Sequence, residues 1–141
     1  MRLLCVEDNS TLRKMIDLML AATGIDVDFA SDGEEAVEAY QVNEYDAVLM
    51  DMEMPRMAGL AAARAIRQVE DGFCLGYTPI LFLSGHDDEA HIEQSHEAGG
   101  DAYLAKPFTS ESLIGAIASL LHGRSATRLS AFTGGWQQAA Y

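Results

Sequence analysis

Cysteine and basic residues are both scarce in this 141-residue chain. The two cysteines, Cys5 and Cys74, form no CxxC pair and stand at no Cys/His ligand spacing. That argues against a disulfide scaffold or a structural zinc site and fits a reducing compartment. Lys and Arg number 9 against 22 Asp and Glu, a formal net charge of −13. General nucleic-acid binding, which depends on cations neutralising phosphates, is disfavoured, and an anionic membrane surface would repel the chain. Long apolar runs are missing too: the longest near-continuous stretch, Leu113 to Leu121, is far short of a membrane span. The N-terminal segment turns acidic at Glu7 and lacks the apolar core of a secretory leader. The expected location is cytoplasmic, with neither nucleic acid nor membrane insertion expected. What is present, 49% apolar and 22% charged residues, suffices for one compact core and argues against wholesale disorder.

Two kinds of segment alternate. Short apolar runs occur at Leu3–Val6, Val27–Ala30, Ala47–Met50, Ile80–Leu83 and Ala102–Ala105. Four are nearly all apolar, as strands covered on both faces require; the second is half polar and suits a sheet edge. Between them lie segments of helical period, the first carried by Leu12, Met15, Ile16, Met19 and Leu20, the last by Leu113, Ile114, Ile117, Leu120 and Leu121. Asn9 or Ser10 is expected to cap the first helix and Thr109 the last. Gly24 is expected to end the first helix, Gly99-Gly100 to end the fourth, and Asp32-Gly33 to turn into the second. The alternation predicts a doubly wound α/β fold: five parallel strands flanked by five helices over residues 2–122. From Gly123 the composition shifts to Ser, Thr, Gly, Gln and Ala, so residues 1–122 are read as the domain and 123–141 as a flexible tail.

Open parallel α/β sheets bind ligands beyond the carboxyl ends of their strands. The residues that follow the apolar runs there are Glu7 and Asp8, Asp51 and Glu53, Ser84, and Lys106-Pro107. Three carboxylates brought together repel one another, so they must protonate or hold a cation. Oxygen donors without His or Cys favour Mg²⁺ or Mn²⁺. Mg²⁺ keeps open positions for phosphate oxygens, and a carboxylate can itself become an aspartyl-phosphate. Lys106 and the Ser84 hydroxyl would then bind phosphoryl oxygens.

These segments closely resemble the receiver domain of two-component response regulators, of the single-domain, chemotaxis-regulator type. The matching stretches are Val6-Glu7-Asp8-Asn9, Asp46 to Pro55 with Gly59, Leu83-Ser84-Gly85, and Asp101 to Phe108. The resemblance implies strand order 2-1-3-4-5. It implies Asp51 as phosphoacceptor, Asp8 as direct metal ligand, Glu7 as an acidic partner acting through water, and the Glu53 backbone carbonyl as a further ligand. Ser84 and Tyr103 match the switch pair, Lys106 the lysine that pairs with the aspartate or its phosphate, and Lys106-Pro107 a cis peptide. Glu53 and His86 fall where side chains flank the phosphoryl pocket and are expected to set the phosphate's lifetime. The implied donors are a sensor histidine kinase or a histidine phosphotransfer protein, and the implied output surface is the fourth helix, fifth strand and fifth helix. No enzyme is implied beyond self-phosphorylation and slow self-dephosphorylation.

Other readings compete. A haloacid-dehalogenase-like phosphatase also uses an Asp nucleophile with Mg²⁺, but here the acid ends the third strand and Glu53 replaces a second Asp. A degenerate receiver acting as a constitutive interaction module is opposed by the intact Glu7, Asp8, Asp51, Ser84 and Lys106. A flavodoxin-like electron carrier is opposed by the acids of the first loop. Ser84 also reads as a cap for the fourth helix. Asp87-Asp88-Glu89 reads as a solvated first helical turn rather than a second metal site, and His86, His91 and His96, five apart, do not line up as a helical metal pair. Phe132, Trp136 and Tyr141 make the tail a candidate docking segment.

Overall fold

The computed structural model describes residues 1–54, 57–73, 76–86 and 88–125. Cys74, Asp87, the Pro55 of the second motif and the tail aromatics Phe132, Trp136 and Tyr141 lie outside them. Strands and helices alternate strictly: β1 (Arg2–Val6), α1 (Ser10–Ala21), β2 (Asp26–Ala30), α2 (Gly33–Val42), β3 (Ala47–Asp51), α3 (Gly59–Gly72), β4 (Ile80–Ser84), α4 (Glu89–Glu97), β5 (Ala102–Ala105) and α5 (Ser110–Ser125). All pairings are parallel and the order is β2-β1-β3-β4-β5. The half-polar β2 does occupy an edge, with β5 at the other.

Side chains of a strand alternate between faces, and the core divides accordingly. Leu4, Val6, Val48, Met50, Ile80, Phe82 and Tyr103 point to one face, where Ala36, Ala62, Ala63 and Ile66 cover them from α2 and α3. Leu3, Cys5, Ala47, Leu49, Leu81, Leu83 and Leu104 point to the other, under Ile16 and Leu20 of α1 and Leu113, Ile117 and Leu120 of α5. Burial pushes the Cys5 thiol far up, which removes it from thiolate chemistry. The stripe on α1 is narrower than its periodicity implies: Ile16 and Leu20 are buried, Leu12 and Met19 flank them, and Met15 stands 45% exposed. No helix among the described residues is long and apolar enough to cross a membrane.

Helix ends follow local chemistry. Asn9, not Ser10, caps α1, its side chain accepting from the Thr11 and Leu12 amides. Asp32 caps α2 by accepting from Glu35 N, and Thr109 Oγ1 accepts from Ser112 N at the head of α5. Gly24 (φ +76°) and Gly99 (φ +105°) take the left-handed conformation just past α1 and α4, where a side chain would be strained. Helix α5 runs on to Ser125, three residues past the expected boundary, so Gly123 lowers helix propensity there without ending the helix.

At the amino ends of the strands a buried ionic network ties α3 to the β4–β5 side. Arg67 donates to Glu70 Oε1 (2.7 Å), the Thr78 carbonyl (2.8 Å), the Gly99 carbonyl (2.7 Å) and Asp101 Oδ2 (3.0 Å), and lies 3.9 Å over the Tyr77 ring. Tyr40 donates to Glu70 Oε2 and Tyr77 to Asp101 Oδ1. Removing the one cation leaves two buried carboxylates uncompensated. Arg67→Leu is therefore expected to cost about 3–5 kcal/mol in urea unfolding; a loss below about 1 kcal/mol would mean that solvent screens the network.

Candidate functional site

At the opposite, carboxyl ends, β1, β3, β4 and β5 stop at a common level, and each delivers a polar group. Glu7 and Asp8 follow β1, Asp51 is the last residue of β3, Ser84 the last of β4, and Lys106 follows β5. Lys106 Nζ donates to Asp51 Oδ1 at 2.8 Å and to Glu7 Oε1 at 3.3 Å. Glu7 and Asp51 are each 1% exposed, while Asp8 opens to solvent. One oxygen each from Glu7, Asp8 and Asp51 lies within 4.8 Å of the others. The site is thus a buried acidic pocket with one ammonium in its floor and one carboxylate at its mouth.

Backbone groups hold this geometry. The Glu53 amide donates to Asp51 Oδ1 (3.2 Å), the Asn9 amide to Glu7 Oε2 (3.2 Å), and Arg13 Nη1 to the Glu7 carbonyl (3.0 Å). Arg13 was not foreseen; its only signal is a place one turn into the helix that follows Glu7. Gly59 lets α3 start against the end of β3: a Cβ there would lie 2.2 Å from the Asp51 carbonyl oxygen. The Lys106-Pro107 peptide is cis, as the resemblance implies.

Burial, then hydrogen bonding and charge repulsion from Asp51, raise the Glu7 carboxyl from its ordinary 4.5 to about 7. For Lys106, burial alone works against the ammonium, but the hydrogen bond and charge of Asp51 and then Glu7 outweigh it and move its pKa up.

The remaining expected residues form an adjoining cluster. Ser84 Oγ donates to Glu53 Oε1 at 2.6 Å and accepts from the His86 amide at 3.1 Å. Helix α4 begins later, with Asp88 at its N-cap position, so Ser84 does not cap that helix. His86 Nε2 lies 3.7 Å from Glu53 Oε1. Tyr103 is fully buried beside Phe82 on the neighbouring strand. Met50 and Met52 are buried in the core, with Met54 and Met57 packed against it. The five-residue spacing of the histidines has a different meaning than a helical count gives it. His86 precedes α4, and its ring stacks on that of His91, centroids 4.4 Å apart.

The family model for the response regulator receiver domain matches residues 3–118. This chain belongs to the response regulator receiver domain family. Among curated relatives, the response regulator MprA of Mycobacterium leprae is 36% identical over 121 residues, covering 86% of this chain and 51% of that protein. The chain spans about half the length of the curated regulators of that kind that it matches. Among solved structures, the chemotaxis protein CheY4 of Vibrio cholerae aligns with TM-score 0.78 at 29% identity, covering 85% of this chain and 98% of that one. The receiver domain of the sensor histidine kinase PA1611 of Pseudomonas aeruginosa aligns with TM-score 0.77 at 34% identity, covering 86% and 97%. That structure has a magnesium ion coordinated in its active-site cleft. The receiver match favours neither the phosphatase nor the electron-carrier reading; a degenerate module would fit the same match and is opposed instead by the intact acidic pocket and its lysine.

The raised Glu7 pKa has a measurable consequence. The folded receiver holds that proton more tightly than the unfolded chain does. In chelator, stability is therefore fully present below about pH 4.5 for this group and falls as pH rises towards about 7. Glu7→Gln is expected to flatten that slope in urea melts taken between those pH values. A slope unaltered by the substitution would place the linkage on another group.

Proposed function

We propose that this receiver accepts a phosphoryl group on Asp51 from a phosphohistidine, carried by a sensor histidine kinase or a histidine phosphotransfer protein, and that the aspartyl-phosphate shifts partner binding. The observation that carries the reading is the Asp51–Lys106 contact at 2.8 Å within a pocket that also holds Glu7 and Asp8. A carboxylate oxygen of Asp51 attacks phosphorus in line. The phosphorus–nitrogen bond breaks, and the donor imidazole leaves with its electron pair. Lys106 keeps a positive charge against the acceptor throughout, in a buried setting where that charge acts strongly.

Three carboxylates against one ammonium suit a hard divalent ion. Glu7, Asp8, Asp51 and the Glu53 carbonyl are the groups that would hold Mg²⁺, or Mn²⁺, with Glu7 acting through water. When bound, the ion offsets charge on the phosphoryl oxygens. The exposed position of Asp8 supports entry of a hydrated ion from solvent.

Ser84 donates to Glu53 in the state described, and a phosphoryl dianion on Asp51 offers that hydroxyl a stronger acceptor. Movement of Ser84 changes the space beside Tyr103, whose ring already lies inside, and so biases the face formed by α4, β5 and α5 between two arrangements. Donor docking is supported by an apolar depression of about 400 Å³ beside Lys106, lined by Leu12, Met15, Pro107 and Phe108. Leu18, 68% exposed, extends the apolar surface one turn along α1.

Incubation with acetyl phosphate and Mg²⁺ is expected to raise the intact mass by one phosphoryl group, about 80 Da. Asp51→Asn is expected to abolish the gain, and Asp8→Asn to raise the Mg²⁺ concentration needed. Catalytic turnover of a phosphate ester, without a stoichiometric adduct, would refute the reading. For the lifetime role of Glu53 and His86, the double variant Glu53→Ala, His86→Ala is expected to alter the dephosphorylation rate severalfold. An unchanged rate removes that role from both.

A further inference from the structure

A second set of donor atoms lies beside the acidic pocket and is not needed for phosphoryl transfer. His86 ends the described stretch after β4, Asp88 immediately precedes α4, and His91 stands in its first turn. The two imidazole planes are 12° apart, and His91 Nδ1 is 2.5 Å from Asp88 Oδ1. One ligand atom from each of the three lies within 4.8 Å of the other two. Two imidazoles and a carboxylate are thus assembled across a loop–helix junction in the spacing His-x-Asp-x-x-His.

We propose that His86, Asp88 and His91 bind one borderline divalent transition-metal ion, with Zn²⁺ as its representative, separately from the oxygen-only site of Glu7, Asp8 and Asp51. The donor set is that of three-ligand zinc sites, which leave a fourth position to water. Imidazole suits Zn²⁺, Cu²⁺ and Ni²⁺, whereas Mg²⁺ prefers carboxylate, carbonyl and water. The two clusters therefore separate ions by donor chemistry even though they adjoin. The side chains of His86, Asp88 and His91 are 57%, 55% and 37% exposed, so the rings can turn their lone pairs onto a common point without disturbing the core. His86 Nε2 also faces Glu53 Oε1, the oxygen that receives the Ser84 hydroxyl. An ion held by His86 thus lies one side chain away from the group proposed to sense phosphate.

The test is calorimetric titration of the full chain with Zn²⁺ at saturating Mg²⁺. One equivalent is expected to bind. His86→Ala and His91→Ala are each expected to weaken it roughly tenfold or more, since loss of mere outer-shell partners already costs that much. His96→Ala, His122→Ala and Asp51→Asn are expected to bind as the parent does. Far-ultraviolet circular dichroism verifies that each variant is folded. If His91→Ala is not, His86→Ala, altered in an exposed loop, carries the comparison. Equal Zn²⁺ affinity in the folded His86→Ala variant overturns the proposal. So does loss of Zn²⁺ binding in Asp51→Asn, which would place the ion in the acidic pocket. Neither outcome depends on whether Asp51 accepts phosphate.

Discussion

Like-charge repulsion at the end of β3 is the constraint around which this molecule is arranged. Two carboxylates about 5 Å apart repel by roughly 3 kcal/mol at an effective dielectric of about 20, and here two of three are almost wholly buried. A fold organised for stability alone would not place Glu7 and Asp51 together. The parallel sheet does so because its strands all end on one side, so residues far apart in sequence share one rim. Lys106 offsets part of the repulsion, and the Glu7 carboxyl, with its pKa raised to about 7, absorbs another part by holding a proton more readily as pH falls towards and below that value. What remains is an unmet demand for positive charge, and that demand supports the proposed divalent ion and phosphoryl group.

The two ends of the sheet treat buried charge in opposite ways. At the amino end, Arg67 is saturated by Glu70, Asp101 and two backbone carbonyls, and both acids have further donors in Tyr40 and Tyr77. A network closed in that way has no need of a ligand and holds α3 to the sheet. At the carboxyl end, acids outnumber the cation, and the mouth is open at Asp8. The contrast separates a charged cluster that supports the fold from one that is poised to bind.

Much of this was legible in the residues because the signals were local or periodic. The nearly all-apolar runs identified central strands, the half-polar run an edge strand, and the polar residue after each run marked the rim. The legible part fails where geometry depends on packing between distant elements. Met15 fits the apolar period of α1 yet stands half exposed, because Ile16 and Leu20, flanked by Leu12 and Met19, form the face that meets the sheet and α5. Nothing in the spacing of Arg67, Glu70 and Asp101 announces a shared network. The histidine spacing was uninformative for a related reason: counting along a helix presumes that both residues belong to it, and α4 begins only after His86. Ser84 was open to a capping role by type, and only the place where α4 begins removes it.

Glu53 is where these lines meet. Its amide fixes Asp51 Oδ1, its carboxylate takes the Ser84 hydroxyl, and the same oxygen faces His86. A carboxylate that holds a hydroxyl at 2.6 Å competes with any other acceptor for it. Phosphate on Asp51 would compete for Ser84 from one side, and a cation at His86 would draw Glu53 away from the other. Both act in the same direction on Ser84, since either a stronger acceptor or a weaker holder frees the hydroxyl to move. Coupling between the phosphoryl pocket and the histidine cluster therefore needs no long pathway; it requires only that a single side chain be shared by two neighbouring electrostatic demands.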